Sequence, residues 1–296
     1  MRLVRVRPES GWPSEVAVEV DGRVLTATQL GLDEPGSLGT IVKVYFDGLH
    51  GEPLALLRSL ADAAADRFAT EGAPLDDLLL EGLAVGNIIA VGRNYHDHAS
   101  EQSVAPPEAP LLFAKLSSSL VGNGDEIMWD PRVATQVDYE AELGVVIGRV
   151  TCCVTVDDAL GSVLGYCNVN DVTARDLQRS DSQWLRGKSH DTFCPVGPVV
   201  VSTDEVPDPQ ALAISCTVNG EVRQSASTAD MIFPVAEVIA YASQVVTLFP
   251  GDIICTGTPG GVGMHRTPPL LLTDGDEVVV EIEGLGRLVN RCRHRP

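Results

Sequence analysis

The run Asp138-Tyr139-Glu140-Ala141-Glu142-Leu143-Gly144-Val145-Val146-Ile147-Gly148 constrains the fold more than any other stretch of the chain. Leu143, Val145, Val146 and Ile147 are strand formers and show no helical spacing, so the run reads as a β-strand. Side chains alternate faces along a strand, which puts Asp138, Glu140 and Glu142 on the same side. Like charges adjacent on one face of a sheet destabilise it. The strand therefore needs either open solvent on that face, as at a sheet edge, or compensating positive charge. A hard divalent cation with oxygen ligands supplies such charge directly.

The rest of the chain narrows the setting. It has 296 residues, is 44% hydrophobic and 21% charged, and carries a formal net charge of −20. That balance excludes DNA, RNA and anionic membrane surfaces as natural partners, since these require clustered cations. An acidic substrate would need local positive charge. There is no apolar run long enough to span a bilayer. Met1–Arg7 alternates basic and apolar residues and reads as a strand rather than a secretory leader. Seven cysteines are scattered, with one adjacent pair, Cys152 and Cys153, and no zinc-type spacing. Reduced thiols in a cytoplasmic protein are the expectation.

Two textures divide the chain. Residues 1–80 read as a small N-terminal αβ domain. It contains a hairpin closed by Asp21-Gly22 and a helix over 52–70, whose apolar face carries Leu54, Leu57, Leu60, Ala61, Ala64 and Phe68. A boundary falls near residues 72–85. Residues 81–296 read as the catalytic domain, rich in β, with strands at 88–91, 111–114, 140–147, 163–169, 196–201, 211–218, 252–255 and 277–282. Asn219-Gly220 is a second tight hairpin turn, and a helix covers 234–246 with Pro234 early in it. Strands with scattered helices and no regular βα alternation exclude a doubly wound sheet and give a β-rich α+β class.

Several segments carry chemistry. Asp171 follows the strand at 163–169, where its carboxylate can face a neighbouring strand; a helix N-cap is its alternative use. Two of the strand carboxylates Asp138, Glu140 and Glu142, spaced two apart, together with Asp171 from an adjacent strand end make an oxygen site suited to Mg²⁺, Mn²⁺ or Ca²⁺ rather than Zn²⁺. Arg175 and Asp176 read as a local ion pair. In Arg93-Asn94-Tyr95-His96-Asp97-His98-Ala99-Ser100-Glu101, Asn94 is a fair N-cap, and His98 and Glu101 share a helical face. A His–Glu pair can hold an imidazole in one tautomer as a general base, although the same spacing occurs on ordinary polar faces. Lys188 can stabilise an enolate or a carboxylate, or simply be solvated. The Gly-rich Thr256–Gly263 turn offers backbone N–H groups to an anion, but is neither a P-loop nor a dinucleotide fingerprint.

Together, Gly92-Arg93-Asn94-Tyr95, Asp138–Leu143, Asn170–Asp176, Gly187-Lys188-Ser189 and Thr256-Gly257-Thr258-Pro259 with Gly261-Val262-Gly263 resemble the fumarylacetoacetate hydrolase family. The likeness runs from about residue 86 to residue 292 in order, and does not clearly cover residues 1–80. The resemblance implies a β-rich roll of mixed strands with peripheral helices, assembled as a homodimer. It implies metal ligands at Glu140, Glu142 and Asp171, with Mg²⁺ or Mn²⁺ the usual ion, and leaves Asp138 in a supporting place. It implies a general-base dyad of His98 and Glu101 on a lid, and an active-site Lys188. It implies a substrate carboxylate held through Thr258, with Gln178, Arg93 and Tyr95 also on the substrate. His190 departs from the aromatic residue common at its position and would bear on substrate shape.

The implied activity is metal-assisted hydrolysis of a carbon–carbon bond in a 2,4-dioxo acid, such as an acylpyruvate or a fumarylpyruvate-like ring-fission product. The same site also suits decarboxylation of an oxaloacetate-type 2-oxo acid or isomerisation of a hydroxymuconate-type diacid. A non-catalytic binding protein on the same fold is the alternative of a different class.

Overall fold

The computed structural model describes residues 1–7, 15–31, 55–75, 78–80 and 86–295. The basic alternation at the N-terminus forms β1 (Arg2–Arg7), which buries Leu3, Val4 and Val6. It pairs antiparallel with β2 (Glu15–Val20), and the hairpin closes onto β3 (Arg23–Thr26). Asp21 and Gly22 both adopt positive φ, 50° and 76°, the geometry that an Asp-Gly turn between twisted strands requires. The expected helix over 52–70 is two helices, Ala55–Ala63 and Ala65–Glu71, broken at Ala64. Ala61, Ala64 and Phe68 are buried as the pattern requires; residue 54 and the Leu57 side chain lie outside the described residues. Short strands β4 (Ala73–Pro74) and β5 (Leu79–Leu80) pair with β3 and β1.

The larger part of the chain supplies β6 (Ile88–Gly92), β7 (Leu111–Lys115), β8 (Leu120–Val121), β9 (Glu126–Trp129), β10 (Val137–Asp138), β11 (Ala141–Ile147), β12 (Val163–Asn170) and β13 (Thr173–Ala174). It continues through β14 (Cys194–Ser202), β15 (Ala213–Val218), β16 (Glu221–Ser227), β17 (Ile253–Cys255), β18 (Glu277–Ile282) and β19 (Gly286–His294). The main sheet runs β4-β3-β2-β1-β14-β12-β11-β17-β6-β7. The N-terminal strands therefore do not make a sheet of their own: β1 bonds to β14 and extends the sheet that carries β11. A second sheet, β16-β15-β18-β19-β9, covers part of the first, and Asn219-Gly220 closes its β15–β16 hairpin with φ of 54° and 78°.

The acidic strand is not an edge. β11 lies between β12 and β17 and is buried along its whole length. Leu143, Val145 and Ile147 face one apolar core, together with Ile214, Val278 and Val280 of the second sheet. Val146 faces another, together with Leu3, Val18 and Phe68. Covered on both faces, the strand has no solvent in which to dilute its charges. The helix expected over 234–246 is shorter, Val235–Ser243, with Pro234 as the residue before its first turn. The class is α+β and sheet-rich, as the sequence indicates.

Candidate active site

The β11–β12 register gathers the acids. Ala141 stands opposite Asn170, so Glu140 and Asp171 meet one step beyond the pair, and the Asp171 N–H donates to the Glu140 carbonyl at 2.9 Å. Asp171 is thus fixed by the sheet rather than used as an N-cap. Carboxylate oxygens of Glu140, Glu142 and Asp171 lie within 4.8 Å of one another, and all three residues are buried.

Buried charges must be compensated. Lys188 Nζ lies 2.6 Å from both Glu140 Oε2 and Asp171 Oδ2. Lys115 Nζ lies 2.6 Å from Asp171 Oδ1. Arg175 Nε donates to Asp138 Oδ2 at 2.9 Å, while its Nη2 stands 2.7 Å from Glu140 Oε1 without hydrogen-bond alignment. The expected Arg175–Asp176 pair is replaced by this arrangement: Asp176 instead accepts from the backbone and hydroxyl of Thr135. Asp138 also accepts N–H groups from Gly263 and Met264.

Four buried carboxylates therefore face three cations. Among the described residues, Glu142 is the acid with no cation of its own, and its one hydrogen bond is from the Gly257 N–H at 2.9 Å. Burial, then the charges of Asp171 and Glu140, push its carboxyl well above the usual range. Glu140 is also penalised by burial, but Lys188 and Arg175 pull it below that range. A buried set of three oxygen ligands, one of them without a cation of its own, fits a hard divalent cation better than a softer one that prefers nitrogen or sulfur.

The helix His96–Glu101 holds the second group of residues. Tyr95, not Asn94, is its N-cap. Asn94 is buried and ties the segment down, donating to the Thr256 and Phe233 carbonyls and accepting from the Phe233 N–H. His98 Nδ1 lies 2.6 Å from Glu101 Oε1, and Glu101 Oε2 accepts the Gly261 N–H at 2.8 Å. A carboxylate only accepts, so the shared proton sits on Nδ1 and leaves the His98 Nε2 lone pair as an acceptor. Gln102 Nε2 contacts that atom at 2.7 Å, the geometry of an amide donating to it.

The Gly-rich turn after β17 does something that its sequence alone did not suggest. Its N–H groups go to the protein's own acids, Gly257 to Glu142, Gly261 to Glu101 and Gly263 to Asp138. Gly257 is required at its place: φ is +96°, and a Cβ there would stand 2.7 Å from Asn94 Cβ. Thr258 Oγ1 accepts from Gln224 and lines the cavity.

A cavity of about 410 Å³ opens in front of these groups. Arg93, His98, Glu140, Glu142, Gln178, Lys188 and Thr258 all line it, so seven of the ten residues singled out from sequence meet there. Glu101 and Asp171 stand one layer behind, bonded to His98 and Lys188. Tyr95 is not brought to the cavity wall. It is fully buried, and its hydroxyl has no hydrogen-bond partner among the described residues. His190 is also elsewhere, stacked on Phe193 at 4.7 Å. Sequence reasoning passed over Lys115 and the edge-on pair Phe113–Trp184, whose rings are 5.2 Å apart in a cavity wall. Lys115 had a signal, a lone cation ending the apolar run Leu111–Ala114.

Residues 87–293 match the model of the fumarylacetoacetate (FAA) hydrolase C-terminal domain. The chain belongs to the fumarylacetoacetate hydrolase family. It is 42% identical over 276 residues to a 2,4-didehydro-3-deoxy-L-rhamnonate hydrolase from Sphingomonas sp., covering 90% of this chain and 95% of that protein. It is 50% identical over 205 residues to a mitochondrial oxaloacetate tautomerase from Rattus norvegicus. That match spans 69% of this chain and 65% of the tautomerase. Among solved structures, a fumarylacetoacetate hydrolase from Exiguobacterium antarcticum superposes over the full length of both chains, with a TM-score of 0.82 and 36% identity. The relatives include hydrolases, tautomerases and isomerases. Among the described residues, no helix is long and apolar enough to cross a membrane.

Proposed function

We propose that the chain is a divalent-metal-dependent hydrolase that cleaves the carbon–carbon bond of a 2,4-dioxo acid, an acylpyruvate or a fumarylpyruvate-like compound. One observation carries the reading. A histidine with its proton on Nδ1, and its Nε2 lone pair engaged by nothing more than the neutral Gln102 amide, shares a cavity with two members of a buried three-carboxylate cluster. Glu140, Glu142 and Asp171 would hold Mg²⁺ or Mn²⁺, which when bound polarises the 2-oxo acid end of the substrate and spreads its developing charge.

The chain's own groups do the rest. His98, oriented by Glu101, exchanges its Gln102 contact for a water molecule and removes a proton from that water as it attacks the C4 carbonyl. Breaking C3–C4 leaves its electron pair on the pyruvate fragment as an enolate. The Lys188 ammonium stabilises that charge. Thr258 and Gln178 orient the substrate, and Arg93 supplies positive charge at the cavity wall. The apolar wall of Phe113 and Trp184 keeps bulk water from the enolate until C3 is protonated. The protein acts in the cytoplasm as a homodimer in this reading, in line with the family resemblance, and sedimentation velocity checks its assembly state.

A second reading, keto–enol tautomerisation of an oxaloacetate-like acid, is favoured by the 50% identity to oxaloacetate tautomerases. It uses the same base to move a proton at C3 and needs no attacking water. Turnover of acylpyruvates and oxaloacetate in ¹⁸O-water separates the readings. Label in the released carboxylate supports hydrolysis. Enol–keto conversion without cleavage, or release of CO₂, removes it.

A further inference from the structure

Beyond Ile147 the chain leaves the sheet through a short clamped segment on the far side from the acidic cluster. Glu142 and Ile147 are separated by about 17 Å, at roughly 3.3 Å per strand residue. Thr151 and Leu248 exchange both backbone hydrogen bonds at 2.9 Å. Two residues on, the Cys153 N–H donates to the Ser243 carbonyl at 2.8 Å and the Val154 N–H to the Ser243 hydroxyl at 3.1 Å. Cys152 and Cys153 are therefore held by pins on both sides.

Adjacent residues in an extended segment point their side chains apart. Here they do not, because Cys153 has φ of +52°, a left-handed conformation that non-glycine residues enter rarely and that marks strain retained by its surroundings. The result is two exposed sulfurs 3.6 Å apart. The other five cysteines, Cys167, Cys194, Cys216, Cys255 and Cys292, are all buried.

We propose that Cys152 and Cys153 form a two-thiol site for a soft, thiophilic centre with two exchangeable positions, of the class of trivalent organoarsenicals. A pyramidal trivalent arsenic holds its two sulfurs close together, so the thiols, already 3.6 Å apart, need only a small inward shift to bridge it. A direct disulfide fits poorly. It asks for an S–S distance of about 2.05 Å and Cα atoms at least about 4.4 Å apart. Neighbouring residues offer only about 3.8 Å. With an arsine oxide the step is a condensation. Two As–S bonds form, the As–O bond breaks, and both thiol protons leave with the oxygen as water, with no change of oxidation state. The site is independent of the reaction proposed above.

The test uses the reduced full chain with one equivalent of phenylarsine oxide, read by intact mass. The expected result is a single adduct that survives excess glutathione and is removed by 2,3-dimercaptopropanol. In Cys152→Ser and in Cys153→Ser, one As–S bond remains, and retention against glutathione falls ~10²-fold or more, because the second bond no longer benefits from intramolecular effective concentration. Both positions are on the surface, and thermal unfolding of each variant confirms an intact fold. Equal retention by wild type and either variant, absence of an adduct on wild type, or peptide mapping of the adduct to a buried cysteine overturns the proposal.

Discussion

Lys115 Nζ lies 2.6 Å from Asp171 Oδ1, and both side chains are wholly shielded from solvent. The lysine is one of three cations facing four buried carboxylates, so removing it leaves Asp171 with only Lys188, which it shares with Glu140. Breaking a buried pair in this way costs about 3–5 kcal/mol. Lys115→Met should lower the unfolding temperature of the metal-free protein, and Mn²⁺ should restore more of the loss than it adds to wild type, because the cation supplies the missing charge. Thermal unfolding in EDTA and in Mn²⁺ checks this; an equal loss in both conditions rejects the charge account.

Glu140 and Asp171 are brought together by a backbone hydrogen bond as well as by Lys188, so each is both a proposed ligand and part of the sheet junction. Glu140→Ala and Asp171→Ala should abolish turnover and divalent-ion binding together. Mn²⁺ calorimetry beside an activity assay measures both. A variant that keeps metal-dependent turnover would show that the cluster is structural.

How much of this was legible beforehand depends on the kind of signal. The Asp21-Gly22 and Asn219-Gly220 turns were readable because their residue types fit a positive φ that few others accept. Glu140, Glu142 and Asp171 were readable through spacing joined to family likeness, and the β11–β12 register then placed them within reach. The central position of β11 was not readable. Its acids left a solvated edge and charge compensation both open, and the cations that permit burial come from β7, from the Arg175–Ser180 helix and from the Leu185–Lys188 helix. Long-range pairing of that kind leaves no local pattern. Tyr95 misled for a similar reason: its motif is at the site, but its ring is directed into the core.

His98 and Glu101 test the proton-transfer step separately from the metal. His98→Ala should lower kcat by ~10²–10⁴-fold if the imidazole is the general base. Its divalent-ion affinity should stay close to wild type, since His98 touches none of the three carboxylates by hydrogen bond. Glu101→Gln keeps the contact but removes the charge that holds the proton on Nδ1, and should reduce kcat by less than the alanine variant. Turnover and Mn²⁺ titration of both variants decide. Unchanged kcat in His98→Ala removes the base from the mechanism.

Gly257 joins the two halves of the site. Its N–H holds Glu142, and the space beside it is filled by Asn94, which anchors the segment leading to His98. An added methyl would stand 2.7 Å from Asn94 Cβ at a φ of +96° that side chains resist. Relief requires the turn to move away from both neighbours. Gly257→Ala should therefore cost about 1–3 kcal/mol through backbone strain and lower kcat even where the fold survives. It should also weaken Mn²⁺ binding, since Glu142 loses its hydrogen bond. Denaturant unfolding, calorimetry and steady-state kinetics on one preparation check the three effects. Full stability with unaltered Mn²⁺ affinity would mean that the turn accommodates the methyl and does not set the position of Glu142.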